Sequence, residues 1–211
     1  MTEGEYLNGK LHGEVVWYDT NGGIEVKASY NYGELDGDYI YYHENGTVEN
    51  KYHYSLGKLQ GEFVHYYENG TLQSIGQYHD DGRHGRREDY CPNGNLQLIR
   101  FYQYGRFIGY SYLDKNGKEL PMIPIENETG KIITYYDNGK VSREMEYKNG
   151  SLINGYKEYY YTGQLFEDIN YVSGEFHGKT VKYFPDGLPE KERYYEMGDL
   201  NGIAKTYFQN G

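Results

Sequence analysis

Glycine sets the period of this chain. Gly13, Gly37, Gly61, Gly85 and Gly109 stand 24 residues apart, and Gly130, Gly155, Gly178 and Gly202 follow at spacings of 21, 25, 23 and 24. A period of this size marks a repeat array, in which each small unit buries its apolar face against its neighbours. The series gives nine repeats, the last left incomplete at Gly211. Most repeats open with Gly-x-x-x-Gly, as in GKLHG at 9–13 and GKLQG at 57–61.

Other residues keep the same beat. Five positions after the anchor glycine stand Tyr18, Tyr42, Tyr66, Tyr90, Tyr135, Tyr160, Tyr183 and Tyr207, with Asp114 the exception. A second ladder begins Tyr30, Tyr54, Tyr78 and Tyr102. Between them lies a polar turn ending in glycine, then an aliphatic residue such as Val48 or Leu72. Segments such as GEFVHYY and TLQSIGQYH are rich in aromatic and β-branched residues and bounded by turn residues, so each repeat reads as two strands. A propeller needs four strands per blade and a period near 40, which argues against it.

The expectation is an all-β fold: an elongated antiparallel β-meander of about nine 24-residue hairpin repeats in a single twisted sheet. At about 4.8 Å per strand it would be roughly 80 Å long. Residues 1–117 would form repeats 1–5, 118–129 an irregular connection carrying Pro121 and Pro124, and 130–211 repeats 6–9. At the tip YYENGTL, a three-residue loop Glu68-Asn69-Gly70 pairs Tyr66 with Leu72 and puts Gly70 in the left-handed region. The alternative two-residue loop would pair Tyr67 with Leu72. In YYYTGQL at 159–165, one residue shorter, a two-residue loop would pair Tyr160 with Leu165.

Composition narrows the function classes. Aromatics make up 18% of residues, which separates this polar chain, of mean hydropathy −0.93, from a disordered one. The net charge of −11 argues against nucleic acid and against a broad anionic membrane surface. It suits a basic protein partner. The N-terminal MTEGEYLNGK has no apolar stretch of the signal-peptide kind, and Cys91 is the only cysteine. Both favour a cytoplasmic protein. A secreted or cell-surface protein is the alternative if a leader precedes Met1.

The repeats resemble the MORN repeat variant, whose pattern is matched almost throughout by GKLQGEFVHYYENGTLQSIGQY at 57–78. The resemblance covers nearly the whole chain and weakens at 110–129. It implies a hairpin array without catalytic residues. It also implies relatives among YwqK-type antitoxins, which neutralise a cognate toxin by binding it, and among cell-surface or secreted proteins. Broader MORN proteins act as scaffolds.

Candidate chemistry is sparse. The seven histidines show no zinc-ligand spacing, the acidic HDD at 79–81 has no partner motif, and Cys91 has no positioned base. No catalytic, cofactor or metal site is expected, and the protein reads as a non-enzyme. Recognition is left. Four residues after the anchor glycine, opposite the tyrosine column, the chain varies through Trp17, Tyr41, His65, Asp89, Leu113, Thr134, Tyr159, Lys182 and Thr206. A varied column on a constant scaffold is where repeat proteins place binding surfaces, and unconstrained solvent positions are the plainer alternative. Trp17 and Tyr41 are of the interface-rich type. RHGRRED at 83–89 adds Arg83, Arg86 and Arg87, which either grip an acidic partner or pair internally.

The functional expectation is therefore a protein-binding antitoxin or immunity protein with a basic toxin domain as partner. A secreted or surface scaffold is the alternative. Homodimerisation by pairing of the open edge near Gly211 is a further expectation.

Overall fold

The computed structural model describes residues 1–209. The edge expected at Gly211 lies outside them. Regular structure is almost wholly strand, in two antiparallel sheets. The first comprises β1 (Thr2–Leu7), β2 (Lys10–Tyr18), β3 (Ile24–Asn31), β4 (Glu34–Tyr42), β5 (Val48–Ser55), β6 (Lys58–Leu59), β7 (Gly61–Tyr66), β8 (Leu72–His79), β9 (Gly82–Tyr90), β10 (Leu96–Gln103), β11 (Arg106–Ser111) and β12 (Ile123–Pro124). The second comprises β13 (Gly130–Tyr135), β14 (Val141–Lys148), β15 (Ser151–Tyr159), β16 (Leu165–Val172), β17 (Glu175–Phe176), β18 (Gly178–Tyr183), β19 (Pro189–Glu196), β20 (Asp199–Leu200) and β21 (Lys205–Thr206). Two sheets replace the single sheet expected. The ladder ends at β12, a two-residue strand at Ile123–Pro124, just past which the Ile125 N–H still donates to the Ile108 carbonyl at 3.1 Å. Residues Glu126–Glu128 then turn as a 3-10 segment with Asn127 at φ 50°.

By their contacts, Met1–Gly94 and Phe101–Arg106 form one compact unit, and Asn95–Arg100 with Phe107 onward forms the other. In the first, Gly61, Phe63 and His65 of β7 pair with Tyr78, Gly76 and Ser74 of β8 on one face. This is the packed face, where Val15, Ala28, Phe63 and Ser74 are at most 1% exposed. In the second, Ile132 pairs with Met145 and Thr134 with Arg143 on the corresponding face, and all four are buried.

The hairpin tip explains the recurring Tyr-Tyr-x-Asn-Gly. Tyr66 pairs with Leu72. The Tyr67 N–H donates to the Thr71 carbonyl at 2.9 Å and the Gly70 N–H to the Tyr67 carbonyl at 2.8 Å, closing the three-residue loop. Gly70 takes φ 78°, open to glycine at little cost. Asn69 Oδ1 caps the Thr71 N–H within the loop. Two groups then reach forward to the next repeat: the Tyr67 hydroxyl donates to the Tyr90 carbonyl at 2.8 Å, and Asn69 Nδ2 to the Pro92 carbonyl at 3.3 Å. In the second compact unit Tyr136 and Tyr160 reach the Tyr159 and Tyr183 carbonyls in the same way. The opposite rim is stitched as well, by turn N–H groups such as Gly33 to Leu11 and Gly57 to Leu35, each at 2.8 Å.

Each tip is followed by a bulge. Tyr66 pairs with Leu72 but His65 with Ser74, so Gln73 is an extra residue. Glu25, Glu49, Ser142, Phe166 and Glu190 hold the same place in their repeats. The bulge brings a second side chain to the packed face. Ser142 Oγ lies 2.8 Å from Thr134 Oγ1, and Lys182 Nζ lies 2.9 Å from Glu190 Oε1 and 5.4 Å from the Phe166 ring centroid.

The seventh repeat corrects two expectations. Its loop also has three residues: the Tyr160 N–H donates to the Gln164 carbonyl, and Leu165 pairs with Tyr159, not Tyr160. Its anchor is Asn154, which pairs with Tyr171 as Gly61 pairs with Tyr78. Asn154 takes φ 60°, and asparagine tolerates that region better than other non-glycine residues. Counted through Asn154, the anchors 130, 154, 178 and 202 keep the 24-residue period.

Candidate protein-binding surface

Tyr159 therefore belongs to the constant tyrosine column, and its hydroxyl donates to Glu144 at 3.0 Å on the face opposite the packed one. Glu158 takes its place in the varied column. That column lies on the packed face throughout, and its burial differs from repeat to repeat.

In repeats 3 and 4 the column is engaged internally. His65 is half-buried, with Nε2 2.9 Å from the Tyr52 hydroxyl and Nδ1 3.2 Å from Ser74 Oγ. Burial, then the nearby Arg87 and Arg83, push its pKa down to about 4, so the ring is neutral near pH 7. Arg87 donates to Ser74 Oγ and pairs with the buried Asp89 at 2.9 Å, and its guanidinium lies 5.5 Å from the Phe63 ring centroid. Arg86 pairs with Glu88 at 2.7 Å, and Arg83 lies over Tyr102 at 5.7 Å. The arginines of RHGRRED are thus held within the chain.

In the second compact unit the column carries a buried ion pair. Arg143 lies 3.0 Å from Glu158, over the Tyr156 ring at 5.4 Å, and donates to Gln97 Oε1. The Tyr156 hydroxyl donates to Glu158 at 2.8 Å. Glu167, the cross-strand partner of Glu158, has its carboxyl pushed up to about 7, first by burial and then by the Glu158 charge.

Repeats 1 and 2 are different. Here the column is aromatic. Trp17 is half-buried beside Tyr30, ring centroids 6.2 Å apart, and Tyr41 is 37% exposed. Tyr39 lies 5.0 Å from Tyr41 and 5.9 Å from Tyr54. Burial raises the phenol pKa values of Tyr30, Tyr39 and Tyr54, so these rings stay neutral. The structure thus gathers Trp17 and Tyr41 on one aromatic face, sets His65 and Asp89 into a polar network, and leaves Tyr159 on the other face.

Sequence reasoning missed Glu25 and Glu49, the bulge residues beside Trp17 and Tyr41. Leu72 and Tyr78 are six residues apart, an even count that would share a face in a regular strand. The bulge between them reverses that parity, and one sequence carries no sign of it.

These features define a repeat protein built of tyrosine-stapled β-hairpins. Four stretches, residues 11–32, 35–55, 59–80 and 128–149, match the model of the MORN repeat variant. No curated protein matches the chain. Among solved structures, one titled "Crystal Structure of TcdB2-TccC3" is similar over 98% of this chain at 12% identity and a TM-score of 0.23. This chain spans 14% of that one, and the likeness bears on neither fold nor function.

Proposed function

We propose that this chain is a non-enzymatic binding protein of the antitoxin or immunity kind, which neutralises a toxin by holding it. The observation that carries the reading is the aromatic face of repeats 1 and 2, set on a scaffold in which repeats 3, 4, 7 and 8 satisfy the same positions internally. Aromatic residues are enriched at interfaces because they bury large areas with few rotors. The net charge of −11 supports a basic partner, since opposite charge speeds encounter. The test is to purify the chain from its native cells with whatever stays bound, then express the captured protein with and without it. Growth arrest by the partner alone, relieved by this chain, is the expected result. A captured protein that is harmless when expressed alone would overturn the antitoxin reading.

A further inference from the structure

The packed face builds its own cation sites in the later repeats. Arg87 lies over Phe63, Arg143 over Tyr156, and Lys182 over Phe166 while paired with Glu190 from the bulge. The last of these is a complete arrangement: a varied-column lysine, a bulge carboxylate and an aromatic ring.

Repeats 1 and 2 keep the bulge carboxylate but place an aromatic ring where repeat 8 has its lysine. Glu25 and Glu49 hold the bulge positions that Glu190 holds in repeat 8. The varied-column residues beside them are Trp17 and Tyr41, where repeat 8 has Lys182. Among the described residues, no cation stands over Trp17, Tyr39 or Tyr41, and neither Glu25 nor Glu49 has an ion-pair partner. Glu25 and Tyr41 are exposed, and Trp17, Tyr39 and Glu49 are partly so.

We propose that Trp17, Tyr39 and Tyr41, with Glu25 and Glu49, form a docking site for arginine or lysine side chains of a basic segment on a protein partner. A ring face attracts a cation through its quadrupole, and a neighbouring carboxylate adds charge. Two such places one repeat apart select a segment with at least two cations. This deepens the binding function proposed above and rests on it.

Trp17 is the only tryptophan, so its emission reports on the site. The probe is the peptide Gly-Arg-Ser-Arg-Gly-Arg, compared with the same peptide carrying citrulline for arginine, which keeps the shape and removes the charge. The arginine peptide should change Trp17 emission saturably, and the citrulline peptide should bind at least about fivefold more weakly. Glu25→Gln with Glu49→Gln should weaken arginine-peptide binding by about the same factor at an unchanged urea midpoint. Glu44→Gln with Glu68→Gln, which removes equal charge at the hairpin tips, should leave it unchanged. Absence of binding, equal binding of citrulline, or equal loss in the tip variant would overturn the site. A native partner held as tightly by the Glu25→Gln, Glu49→Gln chain as by the wild type would also overturn it, while leaving the binding function standing. Failure to capture any partner counts against that function instead.

Discussion

The hydroxyl of Tyr136 donates to the carbonyl of Tyr159 in the following hairpin at 2.6 Å, and accepts from Gln97 Nε2 at 3.0 Å. Tyr136 is 2% exposed, so Phe in its place would leave a buried carbonyl and a buried amide short of a partner. Tyr136→Phe is expected to cost about 1–3 kcal/mol. Tyr67→Phe, whose hydroxyl makes one such bond nearer the surface, should cost about 1 kcal/mol. Urea unfolding checks both. An unchanged midpoint for Tyr136→Phe would show that the hydroxyl contributes nothing.

The anchor of repeat 7 gives a sharper comparison. Gly155 is not at positive φ, and a Cβ there meets nothing within 4 Å. Gly155→Ala should therefore hold or raise stability by about 0.4–1 kcal/mol. Gly61→Ala also meets open space, but its φ of 72° should cost about 1–2 kcal/mol. If Gly155 were the anchor, the two substitutions would destabilise alike.

The Arg143–Glu158 pair is buried, 5% and 6% exposed at the two side chains. Arg143→Met leaves the Glu158 charge without its guanidinium and is expected to cost about 3–5 kcal/mol. Adding Glu158→Gln removes that charge while keeping an acceptor for the Tyr156 hydroxyl, so the double variant should recover part of the loss. A double variant no more stable than Arg143→Met would count against an uncompensated charge as the cause.

Stability should also carry a pH signature from Glu167. Its carboxyl is raised to about 7 in the fold, against about 4.3 in an unfolded chain. Between those values the folded state binds more protons, so this group's contribution is full below the lower value and is lost as pH rises through 7. His65 works in the other direction. Its contribution is present above the unfolded value near 6.5 and is lost as pH falls through about 4. The clean readout is the difference between wild type and Glu167→Gln. Relative to that variant, the wild-type urea midpoint should fall from pH 5 to pH 8, and parallel curves would refute the shift.

Much of the fold was legible because hairpin geometry imposes fixed residue types. The tyrosine-aliphatic pairing of Tyr66 and Leu72 follows from a glycine at the left-handed position, and both can be read from the spelling. Asn154 was not legible as an anchor, because a neighbouring glycine one position on imitates it. The division into two sheets was hidden for a different reason. The prolines at 121 and 124 signal an interruption, but a bulge and a sheet end look alike in sequence. The candidate surface was half legible: Trp17 and Tyr41 stand out by type, whereas Glu25 and Glu49 depend on a parity reversal that only coordinates display.

The forward staples have a consequence for how such chains change. Tyr67 and Asn69 donate to carbonyls 23 residues ahead, and those acceptors are backbone atoms that every repeat offers. A duplication or excision of 24 codons would rejoin each donor to a backbone acceptor whatever side chains the new neighbour carries. An insertion of any other length within a repeat would leave the staples on one side facing the wrong atoms. The architecture therefore makes length a discrete heritable variable, free to drift in whole hairpins while the aromatic face of repeats 1 and 2 stays intact.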